Sequence, residues 1–215
     1  MGRIGREEFL SSHKLPLTVV LDNIRSLHNV GSVFRTSDAF RVERILLCGI
    51  TATPPSAEIH KTALGAEEVV PWQYCADTME AVALLKSEGY EVFSIEQCEG
   101  SIALQSFSVQ AGKRYAVIMG NEVKGVQQQV VDASDGAIEI PQFGTKHSLN
   151  VSAPAPSWPC PPTTSVTGNL PRSSGGCSCS LQLPVNHKHH HAFNHKILPR
   201  GVVGLFEACT KQFCK

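Results

Sequence analysis

The chain has 215 residues, 42% of them hydrophobic, with nineteen Lys and Arg against nineteen Asp and Glu. That length and apolar content exclude a disordered or fibrous chain and suit one sizeable α/β core or two small ones. The balanced charge gives no general reason to expect nucleic acid, a polybasic membrane anchor or an acidic partner, yet it conceals two unlike parts: residues 1–150 carry thirteen basic and eighteen acidic side chains, and residues 151–215 carry six and one.

The opening MGRIGREEFLSSHKLP is charged and lacks the apolar run of a secretory signal, and no stretch reaches the roughly 18 consecutive apolar residues of a membrane helix. A cytoplasmic protein is expected, so Cys48, Cys75 and Cys98 read as reduced core thiols. After an N-terminal extension over 1–16, Leu17 to Leu21 is a β-branched apolar run stopping at Asp22, the pattern of a buried strand whose carboxyl end meets a loop. Val30, Val33, Phe34, Ser37 and Phe40 recur at helical spacing, and Arg44 to Cys48 reads as a second strand. Pro54-Pro55 forces an irregular loop, Ala57 to Leu64 forms a short helix, and Val69-Val70 is the next strand candidate. Asp77 caps a helix with Met79, Val82, Ala83 and Leu85 on one face and Gly89 as its stop. Residues 91–95, 115–119 and 137–140 are further strands, with a helix from Gly125 to Val131 between the last two. Strands alternating with helices predict an α/β fold, a mostly parallel sheet with helices on both faces.

Three loops at strand carboxyl ends, where open α/β sheets place their ligands, hold the candidate chemistry. The first, Asp22 to Thr36, opens a helix with Asn29, Gly31 and Ser32, whose free N–H groups suit an anion, and carries Arg35 about one and a half turns further on. The second, Met119-Gly120-Asn121-Glu122-Val123-Lys124-Gly125, can bring backbone close to a ligand or simply be a tight strand-to-helix turn. It is no phosphate loop, because Val126 and Gln127 follow Gly125 where Lys and Ser or Thr are needed, and the three spaced glycines of a dinucleotide fingerprint are missing. The third, from Ile140 to Ser152, combines Pro141 and Gly144 with Lys146, His147, Ser148 and Asn150.

In order and spacing, Asn29 with Gly31 and Arg35, then Gly120-Asn121-Glu122 with Gly125, then Ile140-Pro141 followed by Ser148-Leu149-Asn150, resemble the three motifs of the SpoU (TrmH-like) branch of the SPOUT RNA methyltransferases, from about Leu17 to Ser152. The resemblance implies transfer of methyl from S-adenosyl-L-methionine to a ribose 2′-hydroxyl of tRNA or rRNA by a homodimer with a trefoil knot. It places Gly120, Ile140 and Leu149 on cofactor-binding positions, and Asn29, Arg35, Glu122, Ser148 and Asn150 on catalytic and structural ones. Arg35 is expected to bind substrate phosphate or stabilise the 2′-oxygen, with Asn29 and Glu122 holding Arg35 and the loops in place. With the first 150 residues net acidic, RNA contacts would be local, from Arg3, Arg6, Lys14, Arg25, Arg35, Lys61 and Lys146. The alternative is a noncatalytic RNA-binding or interaction module on the same scaffold.

The family's motif is followed by an amphipathic helix that closes the knot, whereas here it is followed by APAPSWPCPP. Prolines at that density preclude an α-helix. Residues 151–215 hold eight Pro, five Gly and seven Ser without helical or alternating period until about Gly201. The methyltransferase-like domain is therefore assigned to 17–152, and the tail, 153–215, reads as the product of a reading-frame shift near Ser152. His187, His189, His190, His191 and His195 lie near Cys177 and Cys179, but their spacing fits no ordinary structural zinc pattern, and no metal is assigned.

Overall fold

The computed structural model describes residues 4–142, 145, 150 and 151. Ser148, Leu149, the tail and the expected knot closure lie outside the described residues, as do Arg3, Lys146 and His147.

The strands are β1 (Leu15–Asp22), β2 (Val42–Cys48), β3 (Trp72–Cys75), β4 (Tyr90–Ile95), β5 (Ile102–Ala103), β6 (Arg114–Met119) and β7 (Gly136–Glu139). They form one sheet in the order β3-β2-β1-β6-β4-β7-β5, with every pairing parallel. The apolar runs legible in the sequence are the central strands: seven of the eight β1 residues are buried, because an interior parallel strand is covered on both faces. The helices are α1 (Arg6–Ser11), α2 (Leu27–Ala39), α3 (Ala57–Ala63), α4 (Thr78–Ser87) and α5 (Gln128–Ala133). Alternate strand residues separate the two faces. Val19, Leu21, Ile45 and Leu47 pack in one cluster with Val30, Val33 and Phe34 of α2 and Ile59 of α3, whereas Val20 and Leu46 pack with Ala81, Val82 and Leu85 of α4 and Val130 of α5.

Local signals explain most boundaries. The Ser26 hydroxyl accepts from Asn29 N at the start of α2, the Asp77 carboxylate accepts from Met79 N at the start of α4, and Gly89 takes φ +81° after α4. The strand expected at Val69-Val70 is displaced. Ala66–Glu68 form a 3-10 turn, Val70 is buried in the core, and β3 begins only after Pro71, whose carbonyl accepts from Ile45 N. Trp72, Gln73 and Tyr74 are exposed, so this edge strand carries no apolar run. Cys48 and Cys75 are buried free thiols and Cys98 is half-buried, in keeping with the expected reduced thiols.

The crossing of α2 over α3 depends on Gly31. A Cβ there would lie 2.1 Å from Thr62 Oγ1 and 2.3 Å from the Ile59 carbonyl oxygen, and the latter is backbone that cannot rotate away. Gly31→Ala is therefore expected to cost about 2 kcal/mol despite the higher helix propensity of Ala. Thermal unfolding should show a fall of roughly 4–8 °C, and an unchanged midpoint would mean that the helices separate freely.

Candidate functional site

From β1 the chain steps outward to β2 and β3, then returns across the sheet to β4, leaving β6 to fill the gap between β1 and β4. This is the switch point at which a parallel sheet opens a crevice at its carboxyl edge. The loops after β1 and β6 meet there.

Glu122 joins them. Its Oε2 accepts from Arg25 N at 3.0 Å, and its Oε1 accepts from Ser26 N at 3.0 Å and from the Asn29 side-chain amide at 2.9 Å. Asn29 is buried, and its backbone N–H bonds the Ser26 hydroxyl. The two amides just before α2 thus meet the protein's own carboxylate, and the Asn29 N–H, expected to be open, is capped by Ser26. Burial opposes ionisation of Glu122, but the Arg25 and Ser26 amides and the Asn29 side chain outweigh it and hold the carboxyl below its usual range. Asn121 adds a second tie, donating from its side chain to the Asn23 carbonyl at 2.7 Å and accepting from Val123 N and Lys124 N.

Sequence reasoning took Asp22 only as the end of a strand. It is fully buried, and its Oδ1 accepts from the Thr78 hydroxyl at 2.6 Å, the Asn23 amide at 2.8 Å and the Gln127 amide at 3.0 Å, while Oδ2 accepts from Gln127 N at 3.3 Å. One carboxylate thereby ties β1, α4 and the far end of the β6–α5 loop, without an ion-pair partner among the described residues. A buried acid closing an apolar run was the available signal.

The glycines of the β6 loop serve the loop itself. A Cβ on Gly120 would lie 2.2 Å from Gly125 C and Val126 N, and Asn121 and Gly125 exchange two backbone hydrogen bonds. Gly125, at φ +70°, lies against the Glu96 carboxylate, which accepts from Val126 N at 2.9 Å. Both glycines let the loop close tightly on itself as it leaves β6.

Arg35 is half-buried on α2 and has no hydrogen bond or ion pair among the described residues. Asn29 and Glu122 hold the loop that starts α2, not Arg35 directly. Of the other expected RNA contacts, Arg6 meets Glu68 at 4.0 Å, Lys61 meets Glu58 at 2.5 Å, and Lys14 bonds the Phe9 carbonyl and lies 3.2 Å over the Phe9 ring. Arg25 is exposed, and its guanidinium has no such partner among the described residues.

Gly120 and Ile140 directly follow β6 and β7, which flank β4. Ile95, paired with Met119 on one side and Ile138 on the other, sits between them, and Ile95 and Ile140 are half-buried against the core. This edge offers apolar side chains beside strand-end backbone, a donor set that fits a purine nucleoside with its flat apolar ring and hydrogen-bonding rim. Asn150 is exposed.

The SpoU rRNA Methylase family model matches residues 16–155. The chain is similar to the 23S rRNA (guanosine-2′-O-)-methyltransferase of Vibrio parahaemolyticus, 30% identical over 146 residues, which are 68% of this chain and 58% of that protein. It is 33% identical over 149 residues to the tRNA (guanosine(18)-2′-O)-methyltransferase of Thermus thermophilus, covering 69% of this chain and 75% of that one. Among solved structures, an AdoMet-bound rRNA methyltransferase from Sinorhizobium meliloti superposes with a TM-score of 0.59 at 27% identity, over 68% of this chain and 54% of that one. A TrmH/SpoU tRNA modifying enzyme from A. aeolicus shares the fold with a TM-score of 0.60 at 24% identity, over 68% and 73% of the two chains. The chain thus spans little more than half the length of the Vibrio relative.

Proposed function

Because the chain belongs to the SpoU rRNA methylase family, we propose that it transfers a methyl group from S-adenosyl-L-methionine to a ribose 2′-hydroxyl of tRNA or rRNA. The observation that carries this reading is the clamp of Glu122 on Arg25, Ser26 and Asn29, which fixes the start of α2, the helix on which Arg35 makes no ion pair among the described residues. The names of the relatives support the reaction class.

When bound, S-adenosyl-L-methionine supplies a methyl already made electrophilic by its sulfonium, so this chain's residues need only align the acceptor and favour its developing alkoxide. Gly120, Ile140 and Leu149 hold the cofactor. Arg35, through its planar guanidinium, binds the phosphate beside the target or stabilises the 2′-oxygen. Asn29 and Glu122 position the first loop, and Ser148 and Asn150 complete the site from the third. A 2′-hydroxyl acceptor means RNA and not DNA, and Arg25 and Arg35 supply local contacts on a net acidic domain.

The finer assignments belong to the same proposal. The unit is a homodimeric methyltransferase domain over 17–152, preceded by the extension 1–16, and the tail 153–215 is an out-of-frame product that stands where the family has its knot-closing helix; it works in the cytoplasm. No helix among the described residues is long and apolar enough to cross a membrane.

Calorimetric titration with S-adenosyl-L-methionine, beside S-adenosylhomocysteine, is the test. Saturable binding near one site per chain is expected, followed by tritiated-methyl incorporation into bulk tRNA or rRNA. A folded sample that binds neither compound would overturn the proposal, and binding without transfer to any RNA would leave the noncatalytic module.

A further inference from the structure

We propose that His60, Glu67 and Glu68 form a site for a divalent cation of zinc-like softness, apart from the loops described above and independent of methyl transfer. After α3 the chain turns through Leu64 at φ +55° and Gly65 at φ +92°, both left-handed, into the 3-10 turn Ala66–Glu68. That reversal folds the turn back on the last residues of α3, and one ligand atom from each of the three side chains lies within 4.8 Å of the others.

The second observation is a polar atom left unsatisfied. The Glu67 side chain is only 8% exposed, and its Oε2 is buried with no hydrogen-bond partner among the described residues. Its Oε1 lies 2.5 Å from His60 Nδ1. Both oxygens belong to one carboxylate, so the orphaned one sits directly beside the oxygen that meets His60. Leaving a carboxylate oxygen desolvated without a donor is costly, and an ion at this point supplies the missing partner. Nearby cations do little to supply it: Arg6 reaches only the exposed Glu68, at 4.0 Å, and Lys61 is committed to Glu58.

One imidazole nitrogen with carboxylate oxygens is a zinc donor set, whereas magnesium prefers an all-oxygen shell with retained water. Bonds of about 2.0–2.2 Å require the three ligands to draw together. His60 and Glu68, with side chains 59% and 62% exposed, are free to rotate toward the buried Glu67. Water takes the fourth position. The ion would clamp the end of α3 to the turn that follows, stiffening the helix against which Gly31 of α2 packs.

Histidines and cysteines of the tail would also take up zinc, so the test must be local. Hydrogen–deuterium exchange of the full chain is followed across residues 57–70 with zinc chloride, magnesium chloride or neither. At zinc ten times its dissociation constant, exchange there is expected to slow about tenfold, with no response to magnesium. His60→Ala, at an exposed ring, and Glu67→Gln should each abolish that protection while β1 and β6 exchange as before. Unchanged exchange at 57–70, even with zinc bound elsewhere on the chain, would overturn the site, as would equal protection in both variants.

Discussion

Arg35→Lys is expected to lower the turnover of methyl transfer about a hundredfold, the scale on which removing one oriented donor to a developing oxyanion acts. Lysine keeps the positive charge but replaces a rigid planar fork with a single mobile ammonium, so the loss falls on orientation. Affinity for S-adenosyl-L-methionine should be unchanged, because Arg35 lies on α2 whereas Gly120 and Ile140 follow β6 and β7. The fold should also be unaffected, since Arg35 makes no hydrogen bond or ion pair among the described residues. Single-turnover assays beside calorimetry separate the outcomes. Near-normal turnover would remove Arg35 from the mechanism, and lost cofactor binding would make it a structural residue.

Glu122→Ala is the second large effect, and it reaches stability as well as activity. The truncation strands the Arg25 and Ser26 N–H groups and the Asn29 amide together, at the positive end of α2. Water recovers part of that loss, since the site is only half-buried, which leaves a cost of about 2–3 kcal/mol and a fall in melting temperature of roughly 5–10 °C. The acid side carries a separate signature. Because the folded state holds the Glu122 carboxyl below its usual range, the resulting stability is present above the unfolded value of about 4.3 and is lost as pH falls through the lower folded value. Urea unfolding between about pH 5 and pH 3 should therefore show a shallower loss in Glu122→Ala than in the parent chain. Parallel slopes would mean that the clamp contributes nothing to folding.

Most of the sheet was legible because β1, β2, β4 and β6 are buried on both faces and so appear as unbroken apolar runs. The misplaced strand shows where that signal fails. Val70 is buried as the chain leaves a 3-10 turn, while the residues that pair with β2 are the exposed Trp72, Gln73 and Tyr74. Two-residue β5 and six-residue α1 are too short to establish a period. In the site, the resemblance pointed to Asn29 and Glu122, but nothing local in either loop says that one bonds the other across 93 positions. Asp22 escaped for the same reason: two of its three partners, Thr78 and Gln127, are distant in sequence, and an isolated acid after a strand reads as a turn.

The position of β6 has a consequence for the order in which the molecule can be made. Its residues pair with β1 through Leu17 to Tyr115 and Leu21 to Met119, so the middle of the sheet is built from segments made nearly a hundred positions apart. During synthesis, β1, β2, β3 and β4 all emerge before the strand that belongs between β1 and β4. Until it arrives, the nascent chain carries two unpaired apolar strand edges facing one gap. Closing that gap requires a long loop to be ordered before its contacts repay the entropy, so insertion of β6 is expected to be slow, and the growing chain to need protection from its neighbours until it is complete.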